Sequence, residues 1–425
     1  MSRNPRFERL LEPGRIGSVK TRNRIVKSGA GMLMWHEDDL HMRPEVLAFY
    51  ESLARGGVGL LIVESPTIHY PYGVRWRERY RIDDDKYIQG LGELVEVIHK
   101  HGCPTFMQMN HDGPWQVKLP FAPEPMYQGS PIGASPVCFQ SEGDFHSEPP
   151  RPLTVGEIQE IVDKFASAAV RAHQAGFDGV DINAASSHLL HNFFSPFWNK
   201  RNDEYGGSTE NRARFAVEII REIKKCLGND FPVSIIINGI EIGQGIGVPD
   251  DQCLTHQEAQ KIARYLQQAG ADAIQVRSHF MGYHVGAYLT DALFYPDPPI
   301  PIKSFPKEYN AKHRGVGANI NVAAGIKKVV SIPITVVGRL DADLGEKILR
   351  EGKADFIAMT RRLLADPDYP RKIAEGRLED IQPCTGCANC LGSRRCRING
   401  LLGTPYNTIE KAEKKKKVLV IGGGP

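Results

Sequence analysis

Short apolar runs alternate with amphipathic stretches from the N-terminus to about residue 376. Eight runs have strand character: Asn23–Gly29, Val58–Glu64, Pro104–Asn110, Gly179–Ala185, Pro232–Gly239, Ala273–Ser278, Ile334–Arg339 and Phe356–Arg361. Most are continuously apolar rather than alternating, as expected of a parallel sheet covered on both faces. Between them the apolar positions take a helical period over Pro44–Arg55, Tyr87–His101, Val155–Ala175, Glu210–Leu227, Glu258–Ala269, Asn319–Val330 and Ala342–Glu351. Thr154, Ser208 and Thr255 stand where N-caps belong, and Thr255 with Glu258 fits a capping box. Gly56, Gly102, Gly176, Gly228, Gly270 and Gly352 follow helix ends, where a left-handed residue closes the last turn. Eight strands alternating with helices predict an α/β fold, a (β/α)8 TIM barrel.

Two stretches break this rhythm. Residues 114–150 are rich in Pro, Gly and Ser, and residues 279–315 carry HFMGYHVGAYLTDALFYPDPPIP. They follow the third and sixth strands, so in a barrel they lie at the C-terminal face, where long loops form lids and substrate walls. Past the barrel, PCTGCANCLGSRRC sets Cys384, Cys387 and Cys390 at C-x2-C-x2-C spacing, with Cys396 a little further on. Closely spaced thiolates of this kind hold iron–sulfur clusters, and a [4Fe–4S] cluster is the expected occupant. A structural zinc site or a disulfide pair are the alternatives. Cys103, Cys138, Cys226 and Cys253 are too scattered for a disulfide framework. The predicted organisation is a barrel over 1–380, a cluster segment over 381–403, a linker over 404–417 and, at 418–425, the first strand of a truncated nucleotide-binding domain. That strand, VLVIGGGP, runs into a Gly-rich turn.

The 425 residues suffice for a barrel of about 250 residues with insertions. A net charge of +3 argues against nucleic acid and anionic membranes as partners, and Lys414–Lys417 reads as a solvated linker. No apolar run reaches signal-peptide or membrane-span length, so a cytoplasmic location is expected. In a barrel a phosphate is commonly bound after strands 7 and 8. Those strands end here at Gly338-Arg339 and Thr360-Arg361, where glycine lets backbone N–H groups approach and guanidinium groups bind in bidentate fashion.

VVGRLDADLGEKILREGKADFIAMTRRLLADPD resembles the FMN-phosphate region of the Old Yellow Enzyme (NADH:flavin oxidoreductase) family. GFDGVDIN…LLHNFFSPFWNKRNDEYGGSTENRARF is similar to that family's most characteristic stretch, and LLEPGRIGSVKTRNRIV and MQMNHDG match its first and third strands. With the cysteine segment, the chain resembles the subgroup of 2,4-dienoyl-CoA reductase, trimethylamine dehydrogenase, bile-acid enoate reductases and aryl-CoA (naphthoyl-CoA) reductases. The resemblance implies FMN in the barrel, a [4Fe–4S] cluster held by Cys384, Cys387, Cys390 and Cys396, and FAD and NAD(P)H in the full-length protein. It also implies that Gln108 bonds the flavin pyrimidine edge, that Ser28 and Gly29 lie along the ring, and that Gly338, Arg339, Thr360 and Arg361 hold the phosphate.

The chain departs from that family at several positions. The residues that grip a substrate carbonyl fall on Asn183 and Ser186, and the proton-donating Tyr falls on His188. The family's histidine after strand 6 corresponds to His279 or His284, and Asn110 and His111 are further candidates for substrate contact. The cation beside flavin N1 falls on Ile236, leaving Lys27 or Arg277 to substitute. Residues 27–31 hold no cysteine to bond FMN, which disfavours amine oxidation of the trimethylamine dehydrogenase type. The gap from Cys390 to Cys396 is shorter than usual in the subgroup. The expected activity is NAD(P)H-dependent reduction of a C=C bond conjugated to a carbonyl, in an enoyl-, dienoyl- or aryl-CoA thioester. The alternatives are an amine dehydrogenase/demethylase and a non-catalytic electron-transfer subunit. A homo-oligomer is compatible with this reading.

Overall fold

The computed structural model describes every residue except 1–3, 33, 36–37, 75–79, 115–130, 138–148, 282–297, 299, 410–411, 416, 418 and 420–425. Eight parallel strands close into a barrel: β1 (Ile25–Lys27), β2 (Leu60–Val63), β3 (Thr105–Met109), β4 (Gly179–Ala184), β5 (Val233–Ile242), β6 (Ala273–Phe280), β7 (Ile334–Val337) and β8 (Phe356–Met359). Each strand pairs with its successor in the chain. The ring closes where Ile357, Ala358 and Met359 of β8 pair with Ile25, Val26 and Lys27 of β1. All eight expected strands are present. The unexpected part is the length of β5 and β6, which run on to Ile242 and Phe280 and carry Glu241 and His279 into register with each other.

Among the described residues, seven helices of eight residues or more cover the strands: α1 (Pro44–Arg55), α2 (Ile88–His99), α3 (Val155–Gln174), α4 (Thr209–Leu227), α5 (His256–Gln268), α6 (Ile320–Lys327) and α7 (Ala342–Arg350). The predicted caps form: Ser208 Oγ accepts from Asn211 N, and Thr255 with Glu258 makes the reciprocal capping box. Thr154 with Glu157 makes a second box. One helix end differs from expectation. Gly56 is right-handed (φ −67°), and Gly57 is the left-handed residue (φ +95°). Gly56 is glycine because a Cβ there would stand 1.8 Å from the Pro367 carbonyl oxygen. The helix end is therefore set by contact with another segment.

The barrel interior changes character along its axis. At the N-terminal end Val26, Leu60, Ile62, Phe106, Ala273, Phe356 and Ala358 pack with Ile16 of a hairpin (Gly14–Ile16 with Val19–Thr21) into a closed apolar floor. Alternation along each strand then places Ser28, Gln108, Asp181, Ser234 and Gln275 on the same inward side, further towards the C-terminal end, and all five are buried. Lys27 is on the opposite face of β1. It is fully buried against the Phe49 and Tyr50 rings of α1, donates to Ile62 O at 3.2 Å, and is pushed by burial down to about 8, with Glu64 opposing. Lys27 thus points away from the barrel interior and does not supply the charge lost at Ile236. Arg277 shares the inward face of β6 with Gln275 and keeps that possibility.

Of the two irregular stretches, residues 114, 131–137, 149–150, 279–281, 298 and 300–315 are described, and His284 lies outside the described residues. Among described residues no helix is long and apolar enough to cross a membrane.

Two glycine substitutions separate packing from backbone strain. Gly102 has φ +61°, and a methyl group added there would meet nothing within 4 Å, so Gly102→Ala should cost only the left-handed penalty of about 1–2 kcal/mol. Gly56→Ala meets backbone and should cost more, above ~2 kcal/mol. Denaturant midpoints of the two variants check this, and equal losses would count against the Gly56–Pro367 contact.

Candidate active site

The C-terminal mouth of the barrel gathers most of the residues singled out from the sequence. Ser28 Oγ accepts from Gln275 Nε2 at 2.7 Å, and Gly29 lies so close to the Gln108 carboxamide that a Cβ would sit 2.6 Å from it. Gln108 is held at both ends: Ser65 Oγ donates to its Oε1 at 2.5 Å, and its Nε2 donates to Asp181 Oδ2 at 2.7 Å. Asp181 in turn accepts from Ser234 Oγ at 2.6 Å. The carboxamide therefore has a fixed orientation, with one N–H and one lone pair left over.

On the adjoining strands β7 and β8, Gly338 (φ +139°) and Arg339 (φ +49°) form a left-handed pair after β7. Gly338 faces Asn319, whose Nδ2 would be 3.1 Å from a Cβ there and whose Oδ1 is buried without a partner among the described residues. Thr360 and Arg361 follow β8 directly. Buried polar atoms left over at the mouth, Gln275 Oε1, Asn319 Oδ1 and Ser186 Oγ, together with backbone N–H groups beside glycine and two guanidinium groups, suit a polar heterocycle carrying a phosphate. The residues present therefore fit FMN.

The other side of the mouth is a hydrogen-bonded chain between β4 and the loop after β3. Asn183 Nδ2 donates to Asn110 Oδ1 at 2.9 Å, and Asn110 Nδ2 donates to Asp112 Oδ1 at 2.6 Å. Asp112 Oδ1 stands 3.5 Å from His188 Nδ1, with both side chains buried. Ser186 is left-handed (φ +54°), and its backbone is clamped by Asn238, which accepts from Ser186 N at 3.2 Å and donates to Ser186 O at 2.9 Å. A non-glycine residue persists in the left-handed region only where its surroundings hold it, as Asn238 does here. His111 is committed within the chain. Its Nδ1 accepts from Gly113 N at 3.1 Å, so Nε2 carries the proton towards His69 Nδ1 at 3.3 Å. Burial holds both rings neutral, His69 down at about 4 and His111 well below its ordinary value.

The stretch 199–212 builds the platform under His188. Arg201 pairs with Asp203 (3.0 and 2.5 Å) and donates to Ala134 O and Leu153 O. Asn199 Nδ2 donates to Phe193 O and Tyr205 O, and Arg212 Nε donates to Phe194 O. These bonds fix the short helix Leu189–Phe194, and with it the residue just before it, His188.

His279 lies next to a buried charge cluster that sequence reasoning missed. Glu241 is fully buried and accepts four hydrogen bonds: from His191 Nε2 (2.9 Å), Trp198 Nε1 (2.9 Å), Ser195 Oγ (2.5 Å) and Leu254 N (3.2 Å). Burial opposes its charge, but His191 and the other donors prevail and hold it down at about 2. The His191 ring meets the His279 ring edge-on at 5.5 Å, and burial with His191 pushes His279 down to about 3. The one signal in the sequence was a carboxylate inside the apolar run VSIIINGIEI.

The cysteine segment docks beyond β8 through Asn399 Nδ2, which donates to Leu364 O at 2.9 Å, and through Cys390 and Cys396, which pack on the main core. Cys390 is pushed by burial up to about 11, with Arg361 opposing and with Cys384 and Cys396 near enough to add to the rise. The donor chemistry suits a thiolate-bound cluster. Among the described residues, no three His, Cys, Asp or Glu side chains are already gathered to hold a metal ion.

Because Glu241 is depressed below its ordinary value of 4.5, it contributes stability that is present above that pH and lost as pH falls towards 2, up to ~3 kcal/mol in all. Glu241→Gln should lower stability at neutral pH and flatten its decline between about pH 5 and about pH 3. Denaturant titrations across that range check this, and a variant with an unaltered slope would refute the role given to Glu241.

Known proteins resemble this chain over nearly its whole length. The NADH oxidase of Thermoanaerobacter brockii is 38% identical over 431 residues, covering 99% of this chain and 60% of that protein. The cinnamate reductase of Clostridium sporogenes is 32% identical over 450 residues (98% and 62%), and the N,N-dimethylglycine/sarcosine dehydrogenase of Chromohalobacter salexigens 30% over 445 (99% and 57%). The chain thus spans about three-fifths of the length of these relatives. Among solved structures, a 2-naphthoyl-CoA reductase in complex with 2-naphthoyl-CoA superposes with a TM-score of 0.80 at 25% identity, over 98% of this chain and 61% of that one. Residues 9–291 and 300–380 match the model of the NADH:flavin oxidoreductase / NADH oxidase family, and the chain belongs to that family.

Proposed function

We propose that this chain is the substrate-reducing part of an FMN- and [4Fe–4S]-dependent NAD(P)H oxidoreductase, with FAD as a second flavin. The proposed substrate is a C=C bond conjugated to a carbonyl, in an enoyl-, dienoyl- or aryl-CoA thioester. The observation that carries the reading is the division of the barrel mouth. Ser28, Gly29, Gln108 and the β7–β8 glycine and arginines form a ring-and-phosphate half, and Asn183, Ser186 and His188 form a half with donors for a carbonyl and a proton. The kinship with a cinnamate reductase and the likeness to a naphthoyl-CoA reductase support it.

FMN, when bound, supplies hydride chemistry. Gln108, with its amide locked by Ser65 and Asp181, orients the pyrimidine edge, and Gly338, Arg339, Thr360 and Arg361 hold the phosphate. The Asn183 and Ser186 side chains polarise the substrate carbonyl, so that negative charge developing on its oxygen is met by hydrogen bonds. His188, held on the Asn110–Asp112 chain, gives the proton that completes saturation. His279, neutral and walled in beside His191, lines the far side of the mouth. Cys384, Cys387, Cys390 and Cys396 hold the cluster.

Anaerobically isolated protein should contain FMN and about four iron atoms per chain, and Cys387→Ser should lower the iron content. A colourless zinc protein would refute the cluster. After reduction by dithionite, the flavin should be reoxidised by cinnamoyl-CoA or 2-naphthoyl-CoA, and His188→Phe should slow that step by ~10²-fold or more. Unchanged reoxidation in the variant would remove His188 from the reaction. Bleaching of the oxidised flavin by sarcosine, with no response to either thioester, would instead favour amine oxidation.

A further inference from the structure

The barrel interior holds one carboxylate that the proposed reaction does not use. Asp181 points inward from the middle of β4, fully enclosed, between Gln108 of β3 and Ser234 of β5 in direct register. The two bonds it accepts, 2.7 Å from Gln108 Nε2 and 2.6 Å from Ser234 Oγ, come from neutral groups. The charged and titratable groups on the neighbouring strands, Glu64, Glu241, Arg277 and His279, are not among the causes that move its ionisation. Burial alone raises it, to about 6, against the two hydrogen bonds. Isolated carboxylates of this kind are rare in apolar interiors, because a buried charge without a counter-charge costs several kcal/mol.

Its placement beside Gln108 suggests a use. We propose that Asp181 is a positioning residue of the flavin site, which fixes the Gln108 carboxamide and takes up one proton when the flavin that Gln108 contacts is reduced. Reduction by two electrons from NAD(P)H or dithionite, with one proton from solvent, would leave a bound flavin with one negative charge. The Asp181 carboxylate becomes a carboxylic acid with a proton from solvent, so the enclosed site does not carry two negative charges at once. The protonated Asp181 still accepts from Gln108 Nε2 through its carbonyl oxygen, and the amide stays in place because Ser65 holds its other end. Ile236 pairs with Asn183 in the sheet, so β5 offers no cation there, and proton uptake at Asp181 limits the negative charge of the enclosed site in addition to any contribution from Arg277 on β6. The inference rests on the reading of Gln108 as a flavin contact.

The test is the midpoint potential of FMN in the full chain as a function of pH, followed by flavin absorbance in wild type, Asp181→Asn and Ser234→Ala. In wild type the potential should fall with one extra proton per two electrons above about pH 6. Asp181→Asn should lose that extra slope and have the higher potential at alkaline pH. Ser234→Ala, which removes a bond that stabilises the carboxylate, should move the break to higher pH and keeps the proposal testable if the Asn variant fails to bind FMN. Parallel curves for wild type and the variants overturn the proposal. A separate measurement of FMN affinity in Gln108→Ala isolates the underlying reading: unchanged affinity and spectrum would mean that Gln108 is no flavin contact, whatever Asp181 does.

Discussion

Closure of the eight-stranded sheet is the constraint on which everything else in this molecule depends. Once β8 pairs with β1, every barrel strand has two neighbours and no edge, so backbone hydrogen bonding is settled and only the inward and outward side chains are left to vary. The outward side chains are spent on helices. The inward ones form an apolar floor at one end, sealed by Ile16 of the hairpin, and a polar layer towards the other. Function can collect only where the polar layer meets solvent, at the C-terminal ends of the strands.

Most of the architecture was legible in the sequence because it depends on local rules. Continuous apolar runs mark strands covered on both sides, and caps at Thr154, Ser208 and Thr255 mark helix starts. The helix end at Gly56 was placed correctly for the wrong reason. Its glycine answers to Pro367, more than three hundred residues away, and no local rule encodes such a contact. Lys27 shows the same limit in the other direction: as a lysine at a strand end it was a fair candidate for the mouth, but the pleat turns it outward onto two aromatic rings.

The candidate site was legible in part. Gln108, Asn183, His188 and the β7–β8 residues all stand at or just beyond the C-terminal ends of their strands. His111 is different, because both of its ring nitrogens are already engaged. Asp181 was passed over because it sits inside a run read as strand, where an acid looks like an interruption, while Glu241 and His191 lie outside every predicted element, where no spacing singles them out. The stretch NKRNDEYGGS teaches the converse. It stands out most in sequence, yet Asn199, Arg201 and Asp203 spend their hydrogen bonds on backbone and on each other. A stretch can be distinctive because it holds a neighbouring element in place, as this one holds the helix Leu189–Phe194.

The docking of the cysteine segment has a consequence for how this barrel relates to whatever it exchanges electrons with. Arg361 follows β8 directly, among the residues proposed to hold the phosphate, and is also near enough to Cys390 to oppose the effect of burial on its thiol. On the proposed reading one guanidinium would face both a flavin phosphate and a cluster, and a gain of negative charge at either would draw on the same cation. The two sites would then be coupled electrostatically through a single side chain, and loading one would make the other harder to load.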